Sequence, residues 1–154
     1  MLAVTETSSL LDLWSAAMEL LGGRSAELIS VFVSDNRWRR AASLPFTQEV
    51  SRVGGALSNF TRERAEQVDR DALERTQGQL RQLAAESKIQ LTFAAIGDHE
   101  AARIHEYVTS DADVLIVPSF LKGMPIYAEL TRLKCRIEVV DSKDLSNQAP
   151  SYRT

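Results

Sequence analysis

A single cysteine, Cys135, stands among 154 residues, which excludes an intramolecular disulfide and fits a reducing compartment. Glycine is scarce as well. Of 7 in the chain, only Gly123 falls in "DVLIVPSFLKGMPIYAEL" (Asp113 to Leu130), the strand-to-helix junction where an α/β protein would place a glycine-rich phosphate loop. No apolar run approaches ~18 residues, so nothing reads as a membrane span. The opening "MLAVTETSSLLDLW" has neither the basic start nor the small-residue cleavage site of a secretory signal. Positive charge is not in excess either. The formal net charge is -3, which gives no general footprint for nucleic acid or an anionic membrane. These absences lead to the expectation of a cytoplasmic, soluble chain, with one domain over residues 1–141 and a flexible polar tail over 142–154.

What the chain does contain is a regular alternation of two hydrophobic periods. "LAVT" (Leu2 to Thr5) is a short apolar run followed by the cap-like "ETSS". Leu10, Leu11, Trp14, Ala17, Met18 and Leu21 then recur at helical spacing until Gly22 and Gly23 stop them. "AELISVFV" (Ala26 to Val33) is rich in β-branched and aromatic residues and predicts a buried strand. Strand, helix and strand within one crossover length predict a parallel pair.

"SDNRWRRAASLPFTQ" (Ser34 to Gln48) is polar, contains Pro45, and reads as an irregular connection. From Gln48 to about Ser87, the residues Val50, Val53, Leu57, Phe60, Val68, Leu73, Leu80 and Leu83 predict one amphipathic helix. Gly54 and Gly55 bend it early, and Arg64 and Thr76 interrupt any heptad stripe. The charges from Arg62 to Arg75 alternate in sign. Pairs such as Glu66–Arg70 and Asp71–Arg75 contribute only ~0.3–0.5 kcal/mol each, so they mark a solvated face.

"IQLTFAAI" (Ile89 to Ile96) is a third strand, and "GDHEAARIHEYV" a turn and short helix with Asp98 as cap and Ala101, Ala102, Ile104 and Tyr107 inward. "ADVLIVPS" is a fourth strand, apolar throughout as a doubly covered strand should be. "PIYAELTRL" predicts a last helix with Pro125 in its first turn, and "CRIEVVD" a fifth strand. The resulting order β-α-β-α-β-α-β-α-β predicts an α/β fold: a three-layer, doubly wound, five-stranded, mainly parallel sheet with helices on both faces. Ligands of such sheets bind beyond the carboxyl ends of the strands, where strand order reverses.

With the elements placed, the chain resembles the universal stress protein family over nearly all of residues 1–141. "LAVTETSSLLDLWSAAMELL" is similar to that family's opening strand and alanine-rich helix, and "AELISVFV" to its second strand. "IGDHEAARIHEYVTSDADVLIVPS" is the most specific part. Gly97, Asp98, Ile104, Ala112, Asp113 and Ile116 fall where the family has its G-[DN]-P-x-x-x-I turn and A-D-L-I-V strand. "CRIEVVD" resembles the closing strand.

The resemblance implies a universal-stress-protein-like, adenine nucleotide α-hydrolase-like and Rossmann-like architecture. It also implies a comparison with the ATP-binding branch, which carries G-x2-G-x9-G-[ST] after the fourth strand. Started at Pro118, that pattern meets Leu121, Thr131 and Arg132; registered on Gly123, it meets Phe120, Leu133 and Lys134. Neither register supplies the glycines, and the stretch between the last two strands is too short for both loop and helix. Thr5 stands where the binding branch has an aspartate, and Val33 where adenine would stack. Thr5, Val33, Ser119, Lys122 and Gly123 therefore form a degenerate nucleotide pocket, similar to the branch that does not bind ATP.

Other candidate residues have simpler readings. Asp98, His99, His105 and Glu106 raise a metal site, but the two histidines are six apart, off helical ligand spacing. A capping turn with a surface histidine accounts for them. Glu6, Thr7, Ser8 and Ser9 match helix capping. "RWRR" (Arg37 to Arg40) is the one concentrated basic patch; it reads as a solvated loop with an anchored Trp38, or as a grip for an anionic partner. Cys135, at the start of a strand, reads as a small apolar filler. No catalytic constellation stands out. The functional expectation is a non-catalytic, homodimeric interaction module of universal-stress type acting in stress response, pairing through the edge strand Arg136 to Val140, with no cofactor. The alternative is an ATP or AMP sensor, or weak ATPase, using a short loop at Ser119 to Pro125.

Overall fold

The computed structural model describes residues 1–5, 8–24, 27–34, 37–51, 53–108 and 110–141, and the side chains of Arg37, Asp98 and His99 lie outside that description. The expected tail, 142–154, also lies outside the described residues. β1 (Leu2–Val4), β2 (Leu28–Ser34), β5 (Leu91–Gly97), β6 (Val114–Pro118) and β7 (Arg136–Val140) form one sheet in the order β5-β2-β1-β6-β7. Every neighbouring pair in it is parallel. The expected doubly wound architecture is present, and the strand order reverses between β1 and β6.

Helices α1 (Leu10–Leu21) and α3 (Arg62–Ser87) cover one face. There Leu13, Trp14, Ala17, Ala72, Leu80 and Ala84 join Leu2, Val4, Leu28, Phe32 and Ile116. The other face carries a 3₁₀ segment over Asp98–Glu106, a second over Ser119–Gly123, and α4 (Ile126–Leu130). Its core joins Val31, Val33, Leu115 and Val117 to Ile104, Leu121, Ile126 and Leu130. β2 and β6 therefore bury residues of both parities, which is why they read as continuous apolar runs.

α1 ends at Gly22, whose φ of 53° lets its N–H reach Met18 O. Of the predicted stripe, Trp14 and Ala17 are buried and Leu10 and Met18 pack against the core; Leu13 joins them, and Leu11 is left exposed. α3 starts at Thr61, whose Oγ1 accepts from the Arg64 N–H at 3.2 Å. It presents a narrow seam of Ala65, Ala72, Thr76, Leu80 and Ala84. Thr76 belongs to this seam and does not interrupt it. Small side chains bring the helix close to the sheet, and Leu80, fully buried, contributes about 1.5–3 kcal/mol. Trp14 Nε1–H donates to Ser87 Oγ at 3.2 Å, tying α1 to the end of α3.

The region before α3 differs from expectation. The predicted irregular connection holds a short helix, α2 (Arg37–Ser43). The first third of the predicted long helix is an antiparallel hairpin of β3 (Gln48–Val50) and β4 (Leu57–Asn59). Gly54 (φ 91°) and Gly55 (φ 66°) form its turn, a backbone that glycine adopts without strain and a helix forbids. Val50, Val53 and Leu57 are consequently exposed, not part of a helical stripe. On the other face, Ala102 is exposed where an inward position was expected, while Ile104 is fully buried.

Candidate functional site

The crevice at the carboxyl end of β1 and β6 is the place this topology provides for a ligand. Register sets Val4 beside Phe32 and Leu2 beside Ile116. Continued along the strands, it brings Thr5 level with Val33 on one side and with Ser119 on the other. Three of the five sequence-predicted residues therefore share one rim. Lys122 and Gly123 follow Ser119 on the second 3₁₀ segment, exposed at its far end.

The chemistry of that rim is largely turned inward. Thr5 is buried. Its N–H donates to Ser8 Oγ at 2.8 Å, the Ser8 N–H donates to Thr5 O at 3.2 Å, and the two hydroxyls lie 3.1 Å apart. Ser8 thus closes the turn after β1 and does not cap α1. Ser9 occupies the cap position, and its hydroxyl makes no capping bond. Glu6 and Thr7 lie outside the described residues. Val33 is 1% exposed, in the same cluster as Leu121. The apolar shelf proposed for adenine is covered by the chain's own side chains.

The loop after β6 is equally self-contained. The Met124 N–H donates to Leu121 O at 2.9 Å, Tyr127 N–H to Met124 O at 3.0 Å, and Ala128 N–H to Pro125 O at 3.3 Å. Pro125 has no N–H to offer, and α4 has only 5 residues. A Cβ added at Gly123 meets nothing within 4 Å, and its φ lies outside the left-handed region. Glycine at 123 is therefore not required by the backbone. Four surface clefts are lined by other parts of the chain, and none of these four includes Thr5, Val33, Ser119, Lys122 or Gly123. The largest, about 710 Å³, lies at the opposite, amino end of the sheet between Arg24, Glu27, Lys88 and Gln90.

The remaining candidates are placed as follows. Among the described residues, no group of three His, Cys, Asp or Glu side chains is arranged to hold a metal. The turn before the first 3₁₀ segment is closed by Glu100, whose carboxylate accepts from the Gly97 N–H at 3.1 Å. His105 Nε2 lies 3.5 Å from Glu129 Oε2, which joins that segment to α4. Trp38 is half-buried on α2, its ring 6.0 Å from that of Phe60 and tilted by 60°. Arg39 and Arg40 of the basic patch are exposed on the same helix. Cys135 is partly buried just before β7, and burial pushes its thiol above the ordinary value. β7 is a sheet edge, with Ile137, Glu138, Val139 and Val140 half-buried and Arg136 ion-paired to Glu138.

Sequence reasoning missed the hairpin. Leu44, Phe46, Val50, Val53 and Leu57 all stand exposed on or beside it. The signal that would have found them is the Gly54–Gly55 pair between two short stretches, which is hairpin chemistry as readily as a helix bend.

No model of a protein family matches this sequence, and no curated protein matches it. Among solved structures, hypothetical protein MJ0577 is similar, with a TM-score of 0.54 over 93% of this chain and 96% of that one. The two are 14% identical. The likeness establishes the fold, a five-stranded parallel α/β sheet with helices. No described helix is long and apolar enough to cross a membrane.

Proposed function

We propose that this chain is a universal-stress-type protein, acting in the cytoplasm in stress response as a non-catalytic, homodimeric interaction module that does not bind ATP. The observation that carries this reading is the buried crevice: Val33 is 1% exposed within the core, and in the loop the Met124 N–H is already bonded to Leu121 O while Pro125 offers none. A triphosphate needs several free amides converging on it. The edge position of β7 supports pairing of two subunits through Arg136 to Val140, with Ile137 and Val139 supplying apolar area. Calorimetric titration with millimolar ATP and AMP, alongside light scattering of the wild type and an Ile137→Lys variant, tests both parts. The reading requires no heat of binding and a loss of mass in the variant.

A second reading, a nucleotide sensor with a short loop, draws support from one feature. Lys122 is exposed at the end of the segment that begins on the rim with Ser119. It predicts nucleotide binding that disappears in Lys122→Ala.

A further inference from the structure

The cleft of about 710 Å³ at the amino end of the sheet falls within the ~300–1,000 Å³ range of small-molecule sites. α1 and α3 both end on it, through Leu21 and Ser87. The last carbonyls of a helix carry partial negative charge, and neither helix has a basic residue in its last turn. Two cations come just beyond the helices instead, Arg24 and Lys88, and both line the cleft. Among the described residues, neither side chain has an ion-pair partner. Glu27, the acid of the same lining, accepts from Thr92 Oγ1 at 2.7 Å. Lys88 also holds a φ of 55°, a cap position that glycine fills without steric cost, so a charged side chain stands there against its backbone preference. Met18 and Ile89, which pack against the core, make the lining partly apolar together with Leu21.

We infer that this cleft binds a free amino acid with an aliphatic side chain, held as its zwitterion. The charges of the lining choose that class. A simple carboxylate satisfies Arg24 and Lys88 but meets two helix ends of its own sign. A simple amine satisfies the helix ends but meets two cations. A zwitterion answers both, with its carboxylate on Arg24 and Lys88 and its ammonium on the carbonyl ends of α1 and α3. Arg24 brings the planar fork that suits a carboxylate, and Lys88 a point charge beside it. An aliphatic side chain then covers Met18, Leu21 and Ile89, apolar area that is otherwise left to water. The cleft lies at the far end of the strands from Thr5 and Ser119. Its occupation therefore stands apart from any nucleotide at the crevice and from pairing at β7.

Amide NMR titration of the whole chain with L-leucine tests this, beside N-acetyl-leucine, which lacks the ammonium, and leucinamide, which lacks the carboxylate. The leucinamide arm is run below neutral pH, where its amine stays protonated. The expected result is saturable shifts at Gly23, Lys88 and Gln90 with leucine. Both derivatives should bind at least about tenfold more weakly, each having lost a charge-assisted contact. Arg24→Gln combined with Lys88→Asn should weaken leucine binding by a similar factor at an unchanged melting temperature, since asparagine tolerates the left-handed backbone. Lys88→Arg should keep it. No saturable shift at tens of millimolar leucine overturns the inference, and so does N-acetyl-leucine or leucinamide binding as tightly as leucine. Should the double variant not fold, the derivative series on the wild type still decides. Shifts confined to residues outside the cleft also refute it.

Discussion

Replacing Gly123 by alanine separates a structural loop from a phosphate cradle without touching the core. The added methyl enters open space, and the backbone is outside the left-handed region. Its main effect is then on the unfolded chain, which loses conformational freedom, and Gly→Ala at a compatible site stabilises by about 0.4–1 kcal/mol. For a domain of this size, 1 kcal/mol shifts the melting temperature by about 2–4 °C, so Gly123→Ala melts roughly 1–4 °C higher. Gly22 supplies the control. It closes α1 with a φ of 53°, where alanine costs about 1–2 kcal/mol, so Gly22→Ala moves the other way. Urea denaturation followed by far-UV circular dichroism measures both. A Gly123→Ala protein that loses as much stability as Gly22→Ala would falsify the loop geometry described above, and with it the case against a phosphate site.

Three further outcomes follow from single groups. Ser30 Oγ is buried and has no hydrogen-bond partner among the described residues; Ser30→Ala removes a desolvated hydroxyl and raises stability by about 1 kcal/mol, whereas a drop in urea midpoint contradicts this. The bidentate Arg64 hydrogen bond holds the Glu49 carboxyl below its usual 4.5. The Glu49–Arg64 clasp is therefore complete above about that pH and is lost as the pH falls through the folded-state value. Carbon-detected NMR titration should place Glu49 below the exposed glutamates and return it to them in Arg64→Ala; no change on that substitution removes the clasp. Burial raises the Cys135 thiol, so at pH 8 it reacts with a disulfide reagent more slowly than in the urea-unfolded chain, and equal rates in the two states would contradict its placement.

Much of the sheet was legible because buried parallel strands are written as short apolar runs, and β2 and β6 bury alternate residues on both faces. The region from Ser34 to Phe60 was not. Val50, Val53 and Leu57 sit at helical spacing by coincidence, and the period alone does not show that Gly54 and Gly55 take positive φ. Leu11 was misplaced because Leu13, two positions on, joins Trp14 and Ala17 in the buried stripe in its stead, in a helix apolar on several sides. Thr76 looked polar and therefore external, yet a helix lying close to a sheet accepts a small hydroxyl in its seam. At the rim, the positions of Thr5, Val33 and Ser119 followed from strand ends alone. The burial of Thr5 and Val33 did not, since it involves a hydrogen bond from Thr5 to Ser8 and a cluster that Val33 shares with Leu121, neither of which strand periodicity shows.

The strand order has a cost in time. β1 lies in the middle of the sheet, yet its neighbour β6 is encoded about 110 residues later, an interval on the order of ten seconds at ribosomal speed. Over that interval first a two-strand pair and, once β5 is made, a three-strand half-sheet carries Leu2, Ala3 and Val4 along a raw border whose β6 neighbour is still missing. Truncations that stop short of Val114 should therefore clump in the test tube, and the growing chain is a natural client for a holdase until β6 emerges.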